Sequence, residues 1–385
     1  MARYSEGYGR RIDERAKKRS VVMTAVDVIM AFVSILAIIL LTLTFVAPYI
    51  NPGSMWIFSI LGLLAPAVYC GTLLLMLYWI IRWQWQWASI LMLLVFLGLF
   101  KVSLFYKPEF KRHYEDASSE RNTLKFMTYN VRQFYSNNGQ SSADSVLKMI
   151  GEVDPDILCM QEFNTPLVSK NSDFAQLLEI YNSAVGVSNV DVETLSTAPL
   201  VIFSKFPIIH TGGVLSQSDI RESIWADLLI EGDTVRIFNN HLHSTAITSS
   251  DDDFITNHRY LSDTTRNEKI RSIVRRFRDN SILRAAQVDT IALAINATPY
   301  EKIVCGDFND TPMSYVYRTM AGDLTDAFRE RGLGYAHTFR GFHNTLRIDY
   351  VLSSDRFEPL SYQMQDVDYS DHHPVVVKLK YKKKN

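Results

Sequence analysis

The sequence predicts an α/β protein in which a sandwich of mixed β-sheets and helices follows an N-terminal anchor of membrane-spanning helices. Long apolar runs in the first third of the chain, preceded by a basic segment, predict the anchor. Short β-rich runs that alternate with helical patterns after residue 122 predict the sandwich. Some of these strand runs follow one another with no helix between them, which disfavours a single doubly wound parallel sheet.

The anchor begins after residues 1–20, which are polar and carry more Lys and Arg than Asp and Glu. Apolar runs then extend from Val21 to about Ile50 and from about Met55 to Ile81. Each run is longer than the roughly 20 residues that a spanning helix needs. The turn sequence NPGS joins the two runs, which predicts an antiparallel hairpin of two spans.

The number of spans depends on a third apolar run, from Ala88 to about Tyr106, which Lys101 interrupts. Four tryptophans near the start of this run favour a span, because Trp is enriched at membrane interfaces. They are Trp79, Trp83, Trp85 and Trp87. The basic N-terminus predicts a cytoplasmic start under the positive-inside rule. Three spans, which we expect, place the rest of the chain outside the cytoplasm, whereas two spans leave it inside.

The anchor, residues 21–106, is followed by a charged segment without apolar periodicity, residues 107–122, which we interpret as a linker. Residues 123–385 form the domain in which we expect the chemistry. The net charge of −1 excludes globally basic binding to nucleic acid, so any contact with a polyanion is local. The three cysteines lie in apolar stretches and predict buried thiols, not a disulfide framework or a zinc site.

The domain is expected to contain strands with period-two or continuous apolar patterns and helices with a period near 3.6. The predicted strands are Lys125–Val131, Asp156–Gln161, Pro199–Ser204, Ile224–Ile230, Val235–His241, Arg347–Leu352 and Pro374–Tyr381. The predicted helices are Ser142–Val153, Asp173–Tyr181, Thr265–Arg278 and Ile282–Ile295.

Polar residues end six of the apolar strands, where packing does not explain them. They are Asn130, Glu162, His241, Asp307 with Asn309, Asp349, and Asp371 with His372. Each has an ordinary structural interpretation by itself, such as a turn or a loop side chain. Together they predict one site at the rim of a sheet, because carboxylates suit Mg²⁺ and imidazole suits proton transfer near neutral pH.

The ordered motifs NVR, QE, HL, GDFN, RIDYVL and SDHHPV resemble those of the endonuclease/exonuclease/phosphatase superfamily. That superfamily includes DNase I-like nucleases, exonuclease III-like repair enzymes, sphingomyelinases and inositol polyphosphate 5-phosphatases. The resemblance covers nearly the whole domain after the linker and is greatest to bacterial membrane-anchored members. It implies a four-layer α/β sandwich of the DNase I-like type and a phosphoesterase that depends on Mg²⁺, with Mn²⁺ as a substitute.

The resemblance also implies a role for each matched position. Metal ligation is implied for Glu162, Asn130 and Asp371. Catalytic roles are implied for Asp307, which orients or deprotonates the attacking water, for Asn309, which binds phosphate oxygens, for Asp349 and His372 as a pair, and for His241. His243 is an alternative to His241, since residues two apart share a strand face. Arg221 and Arg347 are candidates for contact with the phosphate, although either could be an ordinary strand-edge charge.

The function expected from these motifs is hydrolysis of a phosphodiester, in nucleic acid or a phospholipid head group, by in-line attack of water. A phosphomonoester or a sugar phosphate stays open as the substrate. We expect an integral protein of a bacterial inner membrane, with the domain outside the cytoplasm and without an obligate protein partner. The alternative is an inactive, membrane-tethered binding module on the same fold. It is disfavoured because every matched position carries a competent residue.

Overall fold

The computed structural model describes residues 2–108, 122–171, 173–186, 190–214, 222–245, 251, 254 and 263–382. Contacts between Cα atoms divide the chain into two compact units. The first unit comprises Met1–Val46 and Leu64–Lys101, and the second comprises Ala47–Leu63 and Val102–Asn385. The residues that connect the first two apolar helices therefore belong to the same unit as the sandwich.

Three helices, Ala2–Val46, Ile57–Ile81 and Trp85–Val102, contain stretches long and apolar enough to cross a membrane by length and composition. Within the first unit, Arg82 forms a two-pronged ion pair with Asp27, with N–O distances of 2.9 and 2.6 Å. The indole of Trp79 stacks on that of Trp87 and donates a hydrogen bond to Ser34. Polar groups inside these helices are thus paired with one another, as an apolar environment requires.

Two six-stranded mixed sheets form the centre of the second unit. The first sheet has the order β13-β14-β2-β3-β5-β4, and the second has the order β10-β12-β9-β8-β7-β6. The strands of the first sheet are β2 (Thr123–Asn130), β3 (Ile157–Gln161), β4 (Asn182–Ala184), β5 (Leu200–Ser204), β13 (Phe357–Met364) and β14 (Val375–Tyr381). The strands of the second sheet are β6 (Ile208–Val214), β7 (Ser223–Ile230), β8 (Asp233–His241), β9 (Glu301–Asp307), β10 (Thr325–Asp326) and β12 (Asp349–Ser353).

Only two neighbouring pairs in the described sheets are parallel, β2 with β3 and β8 with β9. Both pairs lie near the middle of their sheets, so their carboxyl ends can present side chains at a common edge. A short two-stranded ribbon, β1 (Tyr106–Lys107) with β11 (Gly334–Tyr335), lies outside the two sheets.

The alternating faces of the strands build two hydrophobic cores. One core lies between the sheets and includes Phe126, Cys159, Ile237 and Cys305. The other covers the outer face of the first sheet and includes Tyr129, Leu158 and Phe203. The helices that supply it are Ala143–Val153, Pro166–Lys170, Asp173–Ile180 and Val192–Thr197.

The outer face of the second sheet is also covered by helices. Phe308 and Tyr317 pack their rings against Tyr350, with centroids 4.8 and 5.0 Å apart. Tyr317 lies on the helix Tyr315–Ala321, which packs against the long helix Asp263–Ala297. The short helices Ala327–Arg331 and Gly341–Asn344 follow in the chain, and Ala327 and Phe328 pack into the core between the sheets. The helix–sheet–sheet–helix layering confirms the predicted α/β sandwich.

One predicted break in secondary structure is wrong. The expected helices Thr265–Arg278 and Ile282–Ile295 are a single helix, Asp263–Ala297. Asp279, Asn280 and Ser281 separate the two predicted helices, but none of them removes a backbone donor as Pro does. Ser281 instead donates its hydroxyl to the carbonyl of Phe277 inside the helix. Asn280 uses its side chain to bind residues outside the helix.

Candidate active site

The polar strand ends of both sheets converge at one edge of the sandwich. Asn130 ends β2 and Glu162 follows β3, while His241 and Asp307 end the parallel strands β8 and β9 and lie opposite each other. The amide Nδ2 of Asn130 donates to Glu162 Oε1 and to Asp307 Oδ2, at 3.1 Å in both cases. A single amide therefore links the carboxylate of the first sheet to that of the second.

Asp307 lies at the centre of this cluster and is 1% exposed. Its carboxylate accepts hydrogen bonds from the backbone N–H of Asn309 at 2.8 Å and from the Asn309 amide at 3.1 Å. Nε2 of His372 is 3.6 Å from Asp307 Oδ2, and Nε2 of His241 is 3.8 Å from it. Burial raises the pKa of Asp307 to about 6, although the two histidines oppose the shift.

His372 lies between two buried carboxylates. Its Nδ1 is 2.9 Å from Asp349 Oδ2, and its Nε2 faces Asp307. Burial alone would lower the pKa of the imidazole, but the charges of Asp349 and Asp307 outweigh it and raise the pKa to about 10. The two carboxylates therefore favour the protonated imidazole, and Asp349 fixes which way the ring points.

The backbone at the site adopts unusual conformations. Glu162 and Asn309 have φ values of 52° and 51°, in the left-handed region that non-glycine residues rarely adopt. Such strain costs on the order of 1–3 kcal/mol for each residue and is concentrated at functional sites. Gly306, before Asp307, has a φ of +119°, and a Cβ there would lie 1.9 Å from the carbonyl oxygen of Asn240. The glycine of GDFN thus lets β9 approach β8 closely.

The two histidines of the HLH sequence have different partners. His241 Nε2 lies 3.6 Å from Glu162 Oε1, inside the cluster. His243 follows the end of β8, so strand alternation no longer determines its direction. Its ring nitrogen Nε2 is 3.1 Å from Asn280 Oδ1 on the long helix, and its backbone N–H donates to Oε1 of Gln287. The geometry therefore favours His241 over His243 as the histidine beside the carboxylates.

Asp371 lies beside the cluster, and its carboxylate is 3.5 Å from the guanidinium Nε of Arg132. Its neighbour Ser370 donates a hydrogen bond to the backbone carbonyl of Asn130. Arg132, in the NVR motif, was not assigned a role from the sequence. It lies in a short 3-10 turn with a φ of 46°, a conformation that local sequence patterns do not reveal.

The two arginine candidates for phosphate contact have different outcomes. Arg221 lies outside the described residues. Arg347 is 2% exposed and forms a two-pronged ion pair with Asp326, at 3.1 and 2.8 Å. A guanidinium buried in this way holds the fold and does not face a substrate, so this interpretation of Arg347 is wrong. No sequence pattern indicated that the buried side chains of Arg284 and Asp310 form an ion pair, in which Arg284 Nε and Asp310 Oδ2 are 3.6 Å apart.

The side chains at this edge suit a hard divalent cation. Among the described residues, Asp307, Asp349 and His372 place potential ligand atoms within 4.8 Å of one another. The carboxylates of Glu162 and Asp307 accept from the same Asn130 amide, and burial raises the pKa of Asp307. Carboxylate and amide oxygens are the ligands that Mg²⁺-type ions prefer.

Comparison with known proteins gives two family matches. A model described as the Endonuclease/Exonuclease/phosphatase family matches residues 127–372, which contain every candidate site residue. A second model, described as a domain of unknown function (DUF8431), matches residues 27–104. No curated protein matches the sequence.

Solved structures similar to this chain include three bacterial proteins of the same description. A protein from Beutenbergia cavernae DSM 12333 is 15% identical, with 68% of this chain and 72% of that chain covered and a TM-score of 0.45. A protein from Leptotrichia buccalis C-1013-b is 15% identical, with 67% and 100% covered and a TM-score of 0.46. A protein from Bacteroides thetaiotaomicron is 19% identical, with 68% and 98% covered and a TM-score of 0.44.

Proposed function

Because the chain belongs to the endonuclease/exonuclease/phosphatase family, we propose that it is a membrane-anchored, divalent-metal-dependent phosphoesterase that hydrolyses a phosphodiester by in-line attack of water. The observation that supports this most is the convergence on Asp307. The Asn130 amide and the imidazoles of His241 and His372 lie within 4 Å of the buried Asp307 carboxylate. The Glu162 carboxylate, from the other sheet, accepts from the same Asn130 amide. Such a cluster suits phosphoryl transfer, which depends on positioning and charge stabilisation.

We assign the metal to the side of the site formed by Glu162, Asn130 and Asp371, and not to the group Asp307, Asp349 and His372, because the imidazole of that group already lies between its two carboxylates. A divalent cation held there would neutralise charge on the phosphate oxygens, with Mg²⁺ as the expected ion and Mn²⁺ as a substitute. Asp307 orients the attacking water and accepts its proton, for which a pKa near neutrality is suitable. His372, held by Asp349, presents a positively charged N–H to the phosphate, and His241 donates from the other side.

Asn309 acts on Asp307 in this arrangement. Both hydrogens of its amide are engaged, one with the carbonyl of Leu242 at 2.9 Å and one with Asp307 Oδ2. An amide nitrogen has two hydrogens to donate, so none is left for a phosphate oxygen. We therefore propose that Asn309 positions the Asp307 carboxylate, in place of the phosphate contact expected from the sequence.

The localisation that we propose is an integral membrane protein with three spans. The connection between the first and second apolar helices lies in the same compact unit as the sandwich, where Asn51 Nδ2 donates to Asp289 Oδ2 at 3.0 Å. Two groups in direct contact are on the same side of a membrane. The chain returns to that side after the second helix only if the third apolar helix also crosses. With a basic, cytoplasmic N-terminus, the catalytic domain is then outside the cytoplasm, in a bacterium on the periplasmic side of the inner membrane.

The direct test is an assay of the full chain in detergent micelles with bis-p-nitrophenyl phosphate, in Mg²⁺ and in EDTA. Asp307→Asn removes the central carboxylate while preserving its shape, and Asp355→Asn changes an exposed carboxylate far from the cluster. We expect metal-dependent turnover that Asp307→Asn abolishes and Asp355→Asn retains. A folded, metal-binding protein without turnover would favour the inactive binding module instead.

A further inference from the structure

The ends of the apolar helices are docked on the loops that carry the active site. The connection after the first helix contacts the domain through Tyr49 and Asn51. The guanidinium of Arg318 lies over the Tyr49 ring, 4.3 Å from its centroid. Asp289 accepts from Asn51 at 3.0 Å and from the Tyr315 hydroxyl at 2.6 Å. The connection is thus bonded to both the long helix and the helix Tyr315–Ala321.

The start of the second apolar helix lies against the loop between the GDFN motif and the helix Tyr315–Ala321. Gly62 approaches so closely that a Cβ there would be 2.3 Å from the carbonyl oxygen of Met313. Met313 is four residues beyond Asn309. Consecutive Cα atoms are 3.8 Å apart, so the Cα of Met313 is at most about 15 Å from that of Asn309.

The end of the third apolar helix is docked on the segment before Asp349. Arg347 donates to the carbonyl of Leu104 at 3.1 Å, and Ala336 donates to that of Phe105 at 2.8 Å. Arg347 is two residues before Asp349, which bounds the distance between their Cα atoms at about 8 Å. Thr338, two residues beyond Ala336, accepts the backbone N–H of Asp349 on its hydroxyl.

Two separate helix ends are therefore bonded to the two loops that supply Asn309 and Asp349. The apolar helices enter the bilayer at these ends, and the polar layer of a bilayer is on the order of 5–8 Å thick on each side of the hydrocarbon core. The Cα atoms of Asn309 and Asp349 consequently lie within about 15 and 8 Å of Met313 and Arg347, the residues that contact these helix ends.

The charges of the site also disfavour an extended polyanion. A protein that binds nucleic acid places Lys and Arg along the strand to neutralise several phosphates. The described ionisable side chains at the cluster include four carboxylates, two imidazoles, and Arg132 paired to Asp371; they are Glu162, Asp307, Asp349, Asp371, His241 and His372. Such a site suits one phosphate group with a metal ion better than a chain of phosphates.

From this docking we propose that the substrate is a lipid phosphodiester taken from the leaflet on which the domain rests. The inference rests on the proposed function and commits it to one substrate class. Water forms a new bond to phosphorus while one bond from phosphorus to an ester oxygen breaks, and the proton of the water passes to the departing oxygen. The products are a phosphomonoester and an alcohol, one of which stays in the membrane.

The experiment uses the full chain reconstituted in vesicles of phosphatidylcholine, phosphatidylethanolamine, phosphatidylglycerol and sphingomyelin, with Mg²⁺. Released head group or phosphorylated head group is measured, and plasmid DNA and soluble bis-p-nitrophenyl phosphate are assayed in parallel. Asp289→Ala removes the acceptor for Asn51 and Tyr315. Asp279→Ala is the matched control, because it is an exposed carboxylate on the same helix that pairs with Arg278.

We expect turnover of vesicle lipid, at least a tenfold loss of that turnover in Asp289→Ala, and soluble diester hydrolysis within twofold of the unmodified chain in both variants. Hydrolysis of the soluble diester and of DNA without any lipid turnover would overturn the lipid substrate and leave the proposed function intact. An equal loss of turnover on vesicle lipid and on the soluble diester in Asp289→Ala would overturn the role of the docked helix connection in lipid hydrolysis. Absence of turnover on all substrates would overturn the proposed function itself, and the lipid substrate with it.

Discussion

The carboxylate of Asp349 lies 2.9 Å from Nδ1 of His372, with both side chains almost wholly buried, so that Nε2 of the imidazole is aimed at Asp307. The two residues come from different sheets, since Asp349 begins β12 and His372 precedes β14. The pairing thus fixes the direction of the His372 imidazole across the sandwich.

The first prediction concerns this pair. Asp349→Asn keeps the size of the side chain but no longer favours the tautomer and charge of His372, so we expect kcat to fall by about two to four orders of magnitude. Steady-state rates on bis-p-nitrophenyl phosphate measure the effect, and circular dichroism checks that the fold is kept. Activity within threefold of the unmodified chain would show that Asp349 is not needed to orient the imidazole.

The second prediction separates two roles for Asn309. If its amide positions Asp307, Asn309→Ala lowers kcat strongly and changes KM little, because the loss is in the transition state. If the amide binds the phosphate, KM rises instead. Full kinetic curves on a soluble diester distinguish the two, and a large rise in KM with an unchanged kcat would refute the positioning role.

Part of the site was predictable from the sequence because its residues end strands, but Asp349 begins β12, and Asp371 and His372 precede β14, so the expectation that they end strands was wrong. Asn130, Glu162 and Asp307 follow strongly apolar runs, and parallel strands bring such ends to one edge. The docking of the helix connection was not predictable. Asn51 and Asp289 are separated by 238 positions, and no local pattern marks either as the partner of the other.

Irregular backbone and long-range ion pairs are two further features of this region that the sequence did not predict. Arg132 lies in a turn with positive φ, and local propensities do not anticipate it. Arg347 begins the RIDYVL motif and was a candidate for contact with the phosphate, but its partner Asp326 lies on a short edge strand that the sequence did not predict. Tertiary pairing of this kind determines burial independently of the motif itself.

The third prediction concerns the buried pair of Arg347 and Asp326. Burial tends to raise the pKa of Asp326, but the charge and hydrogen bonds of Arg347 outweigh it and hold the pKa below its usual value. A carboxyl group with a lowered pKa in the folded state stabilises the fold above its unfolded pKa of about 4, and this contribution is lost as the pH falls through the folded pKa.

Asp326→Asn should therefore destabilise the domain by about 3 kcal/mol at pH 7, since it leaves the Arg347 charge buried without a counter-ion. The difference should shrink below about pH 4. Thermal unfolding of the full chain in detergent at several pH values measures it. Asn can still cap the helix Ala327–Arg331, so helix capping is not the variable. A difference that stays constant with pH would contradict the assignment.

The fourth prediction concerns the glycine of GDFN. Gly306→Ala introduces a Cβ 1.9 Å from the Asn240 carbonyl at a φ of +119°, so β8 and β9 must separate. We expect loss of the folded protein or a large fall in Tm. Gly232→Ala is the matched control, because Gly232 also has a positive φ, +90°, but no heavy atom lies within 4 Å of its added Cβ. If the two variants unfold at the same temperature, backbone strain alone and not the contact with Asn240 is responsible.

Glu162 and its neighbours are proposed to hold a divalent ion that phosphodiester hydrolysis requires. The most direct measurement is a Mg²⁺ titration of the initial rate on bis-p-nitrophenyl phosphate for the full chain and for Glu162→Gln, which retains size and removes the negative charge. We expect no turnover without the ion, saturation by Mg²⁺, and a requirement for at least tenfold more Mg²⁺ in the variant. Turnover that persists in EDTA, or identical Mg²⁺ curves for the two proteins, would contradict this proposal.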